Sequence, residues 1–241
     1  MLHLAIIMDG NGRWAQARGW RRWRGHAAGV DRVRTVVRAA PGLGVGTLTL
    51  YAFSSDNWRR PPVEVERLFG LLLRYCRLEQ AELIRQGVRV SVIGRRDRLP
   101  PAVRVALEDL ETGTAGGRRL HLRLAIDYSA RFAIAAASRR VVNELLADGS
   151  PPDHLDPERI EAAIAPGVPP VDLLVRTAGE QRLSDFLLWE LAYAELYFTD
   201  CPWPEFGVGD LRAAIAEFHR RERRYGGLDA VPGSRSDRLA G

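Results

Sequence analysis

The sequence predicts an α/β fold: a single domain with a mainly parallel central sheet flanked by helices. Three observations lead there. Short β-rich runs alternate with amphipathic helical stretches along the whole chain. At 241 residues, 46% hydrophobic and 27% charged, the chain can bury one large core of this kind. No internal repeat, low-complexity linker or break in composition marks a second domain. Right-handed crossovers then gather the C-terminal ends of the strands on one edge, where such sheets hold their ligands.

The elements follow in order. Residues 4–8, Leu-Ala-Ile-Ile-Met, read as a buried strand ending at Asp9-Gly10-Asn11-Gly12. The arginine-rich stretch up to His26 reads as a loop. A helix is expected from about residue 29 to residue 40, stopped by Pro41 and a glycine-rich turn. Residues 47–53 are rich in β-branched and aromatic side chains and form the next strand. A long helix is expected over 63–86, with Leu68, Leu71, Leu72, Tyr75, Leu78 and Leu83 at helical spacing and Gly87 as its cap. Strands at 88–93 and 120–126 flank a helix running from Pro100 to about residue 112, and an alanine-rich helix spans 130–146. A short helix near 157–165 leads to a strand at 172–175, followed by helix 184–192, strand 196–199 and helix 208–224. Residues 229–241, rich in Gly, Ser and Arg, are expected to form a disordered tail after a folded domain of residues 1–228.

Charge and cysteine usage narrow the function classes. All 35 basic residues are arginine and none is lysine, a compositional habit that makes the net charge of +5 weak evidence for a nucleic-acid partner. No nucleic acid is expected. Position carries more than the sum, because guanidinium forks grip phosphates bidentately and keep their charge. Cys76 and Cys201 are too few for a disulfide framework or a thiolate metal site and read as small packed residues. The apolar run near the N-terminus is far shorter than a signal sequence or a membrane span, so a cytoplasmic location is expected.

The richest segment is Met8-Asp9-Gly10-Asn11-Gly12-Arg13-Trp14. It sets a carboxylate at a strand end, then two glycines that let backbone amides approach an anion. Asn-Gly alone also marks ordinary turns. Here Arg18, Arg21, Arg22, Arg24 and His26 follow closely, and Trp14, Trp20 and Trp23 add apolar surface, as a lipid-tailed phosphate requires. A solvated basic face and simple packing explain parts of the same pattern. The second strand ends in Ser54-Ser55-Asp56-Asn57-Trp58-Arg59-Arg60, which adds hydroxyls, an amide and guanidinium groups to the same edge. After a later strand comes Arg176-Thr177-Ala178-Gly179-Glu180-Gln181-Arg182-Leu183-Ser184, whose Arg176, Arg182 and Ser184 suit a second phosphate at a helix start. Two arginine clamps and one carboxylate point to two diphosphate substrates and one divalent metal.

These runs, together with 3–8, 49–53, 186–189, 192–200 and 221–227, resemble the cis-prenyltransferases, Z-type isoprenyl diphosphate synthases typified by undecaprenyl diphosphate synthase. The resemblance covers nearly the whole chain in order and implies an undecaprenyl diphosphate synthase-like fold, with residues 1–228 as the catalytic domain. It implies that Mg²⁺-dependent condensation of isopentenyl diphosphate with an allylic diphosphate such as farnesyl diphosphate gives a Z-polyprenyl diphosphate. By resemblance, Asp9 holds Mg²⁺, with Glu195 as a second ligand. Gly10, Asn11, Gly12, Arg13, Trp14, Arg22 and His26 bind the allylic substrate. Ser54, Ser55, Asp56, Trp58 and Arg60 line the same region, and Asn57 orients a group during proton removal. Arg176, Arg182, Leu183 and Ser184 form the isopentenyl diphosphate clamp. Arg224-Tyr225-Gly226 resembles a motif that reaches the partner subunit in family homodimers. The product is expected to extend along an apolar tunnel beside the long helix and to partition to a membrane, at whose surface the protein attaches peripherally.

The chain departs from the family pattern at Asp127, Asp185 and Glu190, where amides are usual, and at Asp56, Ala178 and Gln181. These changes bear on substrate choice and product length. A short-chain or irregular prenyl synthase is therefore an alternative. A non-catalytic subunit of a prenyltransferase heteromer is another, opposed by the intact Asp9-Gly10-Asn11-Gly12-Arg13 segment.

Overall fold

A computed structural model of the chain describes residues 1–221. Six strands form one sheet in the order β3-β4-β2-β1-β5-β6, and every neighbouring pair is parallel. The strands are β1 (Leu2–Ile7), β2 (Val45–Ser54), β3 (Val88–Ile93), β4 (Leu120–Tyr128), β5 (Leu173–Arg176) and β6 (Glu195–Phe198). Seven α-helices pack around them among the described residues: α1 (Asn11–Gln16), α2 (Arg22–Ala39), α3 (Pro62–Arg85), α4 (Pro101–Thr114), α5 (Ala130–Ala147), α6 (Pro157–Ile164) and α7 (Val208–Arg220).

β1 shows why the sheet is covered on both faces: all six of its residues are buried. Leu4 and Ile6 join the larger core, with α2, α3, α4 and α7, while Ala5 and Ile7 face Phe186, Leu187 and α5 on the other side. The register aligns strand ends: Ile7 pairs with both Tyr51 and Arg176, and Ser54 with Tyr128. Asp9, the end of β2 and Arg176 therefore meet on one edge, as right-handed parallel topology requires.

Two expected elements are corrected. The arginine-rich stretch before residue 29 is helical, because α2 begins at Arg22 and is preceded by α1. Gly25 and Gly29 within it serve close helix contact. A Cβ at Gly25 would strike the carbonyl of Asn11, and one at Gly29 would strike its side chain. The helix expected at 184–192 is absent and the segment folds as successive turns. Ser184, Asp185 and Leu187 take positive φ values of 51°, 59° and 46°. Asp185 is tied to the start of α5, accepting from Ser129 Oγ at 2.5 Å and Arg131 N–H at 3.0 Å. Phe186 and Leu187 are fully buried, so burial rather than a helical period dictates the apolar residues there. Leu78, read as part of the apolar face of α3, is exposed. The Arg224-Tyr225-Gly226 motif and residues 229–241 lie outside the described residues.

Candidate active site

At the C-terminal strand edge a polar cleft encloses roughly 1200 Å³, part of it open to solvent. Asp9, Gly10, Asn11, Gly12 and Arg13 form one wall; Arg22 and His26 of α2, Ser54, Asp56, Asn57 and Arg60 after β2, and Arg176, Arg182 and Ser184 complete it. Gly10, at φ 100°, has the backbone that glycine adopts freely, and a Cβ there would press on Ala178 and Pro202 at 2.8–2.9 Å. Its tight turn brings Asp9 against Arg176.

Arg176 is the buried centre of the site. Its Nε and Nη2 donate to Asp9 Oδ2 at 3.0 and 2.8 Å, and Nη1 donates to Ser184 Oγ at 2.9 Å and to the carbonyl of Arg182. With its side chain 3% exposed and its fork engaged, Arg176 positions Asp9 and the 182–184 turn. Both bonds to Asp9 fall on Oδ2, so Oδ1 has no protein donor among the described residues.

The remaining guanidinium groups sort differently from the two sequence runs. Arg13 and Arg182 share one carboxylate, Glu180, Arg13 at 2.9 Å. Across the cleft, Glu64 faces Arg60 Nη1 at 3.2 Å, Arg22 Nε at 3.5 Å and His26 Nε2 at 3.4 Å. Each glutamate thus occupies a cation cluster that an anionic ligand would claim. Burial alone would raise the pKa of Glu64, but Arg22 and Arg60 outweigh it and leave it below the ordinary value. Glu180 is held low chiefly by its bond from Arg182. Burial, helped by Arg60, lowers the pKa of His26 from its ordinary value.

Five residues expected at the site are placed elsewhere. Ser55 Oγ turns away to Asp127, at 3.0 Å from Oδ1. Trp58 packs on Phe53 and Phe69, and Leu183 packs against the core on the α5 side of the sheet. Trp14 donates to Glu205 at 2.8 Å and stacks edge-on with Trp20. Glu195 sits at the start of β6 in register with Leu173, three positions before Arg176, and pairs with Arg221 at 2.8 Å. At about 3.3 Å of rise per residue, that sets it roughly 10 Å back from the Asp9 edge within this chain. Asn57 accepts from the backbone N–H of Ser54 at 3.2 Å through Oδ1, which closes the turn after β2. The structure adds Glu64 and Glu180, which sequence reasoning gave no role; the only signal was Glu64 four residues after Arg60, a helical pairing distance.

Below the cleft lies an apolar chamber of roughly 820 Å³, again partly open. Leu50, Phe53, Leu68, Leu72, Tyr75 and Leu124 line it, and Met8, Asn11, His26, Tyr51, Ala52 and Leu68 border both spaces. An anion-binding mouth over an apolar channel between β2 and α3 suits a phosphate with a hydrocarbon tail.

The undecaprenyl diphosphate synthase family model matches residues 7–226. Isoprenyl transferase 1 of Bradyrhizobium diazoefficiens is 55% identical over 95% of this chain and 91% of its own length. The isoprenyl transferase of Brucella abortus is 47% identical over 94% and 90%. Among solved structures, lavandulyl diphosphate synthase from Lavandula x intermedia, in complex with dimethylallyl diphosphate, superposes with a TM-score of 0.89 at 35% identity, covering 93% of this chain and 97% of that one. One described as a probable undecaprenyl diphosphate synthase from Campylobacter jejuni gives 0.77 at 31% identity, with the same coverage.

Proposed function

The chain belongs to the undecaprenyl diphosphate synthase family and is a prenyl transferase, and on that premise we propose that it condenses isopentenyl diphosphate with an allylic diphosphate, such as farnesyl diphosphate, to give a Z-polyprenyl diphosphate. The observation that carries this reading is the continuity of the arginine-lined cleft with the apolar chamber.

Mg²⁺ fits the donor set at Asp9. Magnesium is commonly held by one or two carboxylates together with substrate phosphates and water, and Asp9 Oδ1 is the carboxylate oxygen left for it. No group of three or more His, Cys, Asp or Glu converges among the described residues, so a cage made of protein alone is not on offer. Glu195 does not join Asp9 within one chain. When bound, the cation would neutralise charge on the departing diphosphate.

The chain's own residues do the rest. Arg22 and Arg60, released from Glu64, and backbone amides of the Gly10–Gly12 turn bind the allylic diphosphate. Arg13 and Arg182, released from Glu180, bind isopentenyl diphosphate. As the allylic C–O bond breaks, charge accumulates on the leaving group where the guanidinium groups already point. The double bond of isopentenyl diphosphate forms the new C–C bond, and a proton leaves the carbon beside it. Asn57, a neutral amide, orients rather than accepts that proton, and a diphosphate oxygen takes it. The chamber lined by Leu68 and Leu72 shelters the hydrocarbon.

We further propose a homodimer, a cytoplasmic location with peripheral attachment at a membrane surface, and a product that partitions there; no described helix is long and apolar enough to cross a membrane. A second reading, a short-chain or irregular synthase, is favoured by the similarity to the lavandulyl enzyme. Labelled isopentenyl diphosphate incubated with farnesyl diphosphate, in Mg²⁺ or in EDTA, tests the main reading: metal-dependent transfer of label to an organic-soluble lipid supports it, and no transfer by folded protein refutes it.

A further inference from the structure

Asp127 belongs to β4, yet its backbone takes φ 49°, a left-handed conformation that Asp and Asn tolerate better than most residues. Its carboxylate is fully buried and fully used. Arg98 Nε donates to Oδ2 at 2.9 Å and Arg98 Nη2 to Oδ1, a two-pronged pair, while Ser55 Oγ lies 3.0 Å from Oδ1 and 3.2 Å from the Asp127 carbonyl. That carbonyl also accepts from the backbone N–H of Arg95 at 3.1 Å. The Arg98 guanidinium then lies 5.7 Å from the centre of the Trp58 ring.

Ser55 and Trp58 belong to one short 3-10 turn, Ser55–Arg59, which also carries Asn57 and leads to Arg60. Asn57 and Arg60 line the polar cleft; Ser55 and Trp58 do not. The turn is gripped from behind at two points, by a hydroxyl on a buried carboxylate and by a guanidinium over an indole. Its front presents an amide and a cation to the ligand.

We infer that Asp127 and Arg98 are positioning residues for the 55–60 turn: they fix Asn57 and Arg60 at the cleft without touching substrate. A buried carboxylate needs a paired cation, so Arg98 is held rigidly, and the turn inherits that rigidity through Ser55 and Trp58. The kinetic consequence rests on the proposed reaction; the conformational one does not.

Two variants separate these roles. Asp127→Asn keeps the left-handed backbone and an acceptor for Ser55 but removes the charge that holds Arg98. Ser55→Ala leaves the ion pair intact and cuts the tether. Limited trypsinolysis reads the turn directly, because the Arg59 side chain is 86% exposed and precedes Arg60 rather than proline. Faster appearance of fragment 1–59 is expected in both variants, with unchanged Tm and unchanged cleavage elsewhere. In a prenyl-transfer assay, kcat is expected to fall about 10-fold to 100-fold, as small misplacements near reacting groups do, with KM for isopentenyl diphosphate unchanged. Ser55→Thr, which keeps the hydroxyl, should restore both readouts. Unchanged cleavage after Arg59 in both variants would overturn the inference, as would activity lost only in parallel with Tm. Faster cleavage without any prenyl transfer by the wild type would uphold the positioning role and refute the reaction.

Discussion

Arg176 places two of its nitrogens on a single oxygen of Asp9, at 2.8 and 3.0 Å, and is itself almost wholly buried. These bonds hold the carboxylate through Oδ2 and leave its second oxygen without a protein donor among the described residues. Asp9→Ala is expected to cut turnover by three orders of magnitude or so, comparable with loss of about 4 kcal/mol of transition-state stabilisation. Circular dichroism should show the fold retained. Near wild-type turnover in the folded variant would remove Asp9 from the mechanism.

The two cation clusters predict separable kinetics. Arg182→Ala should raise KM for isopentenyl diphosphate well above its effect on the allylic substrate, and Arg22→Ala should do the reverse, because guanidinium–diphosphate pairing is local. Steady-state titration of each substrate reads this directly. Equal effects on both substrates would merge the two clamps into one.

Glu180, bridging Arg13 and Arg182, competes with any anion for the same forks. Glu180→Gln is expected to lower KM for isopentenyl diphosphate several-fold and to steepen its increase with salt, since more guanidinium charge is left for the ligand. A higher KM in this variant would give Glu180 a part in binding instead.

His3 supplies a pH signature independent of catalysis. Its ring lies between the Pro169 carbonyl and Thr49 Oγ1, each at 2.8 Å, and burial lowers its pKa from 6.5 to about 4. Between those values the unfolded chain binds more protons than the folded one, so stability is lost as pH falls from 6.5 toward 4. Full loss is on the order of 3 kcal/mol. Urea midpoints across that range should decline in the wild type and less steeply in His3→Gln. Parallel slopes would exclude His3 as a source.

Much of this was legible in the sequence. The alternation of strands and helices located all six strands to within a few residues, because runs such as Leu4–Ile7, buried throughout, are apolar enough to announce burial. Asp9 and the arginines were visible because strand ends in parallel sheets converge on one edge. The helical stretch of residues 22–28 was hidden because its arginine run reads as a ligand-facing loop, while Gly25 and Gly29 let the helix pack closely on Asn11. The turns at 184–192 were hidden because Phe186 and Leu187 follow tertiary burial, not a local period. The grouping of Arg13 with Arg182, 169 positions apart in the chain, could come only from the fold.

The chamber beneath the cleft should set product length. Leu72, on its wall, is replaced most informatively by tryptophan, which fills the channel without adding charge. Leu72→Trp is expected to shorten the product while the first condensation continues. An unchanged length distribution would place the growing chain elsewhere.

Product structure distinguishes Z-type chain elongation from every other prenyl transfer. The wild-type protein is incubated with farnesyl diphosphate and excess isopentenyl diphosphate, and the lipid is characterised by mass spectrometry and NMR. A mass ladder in five-carbon steps above farnesyl is expected, with every newly formed double bond Z. Newly formed E double bonds, or a branched product formed from two allylic molecules in place of the ladder, would contradict it.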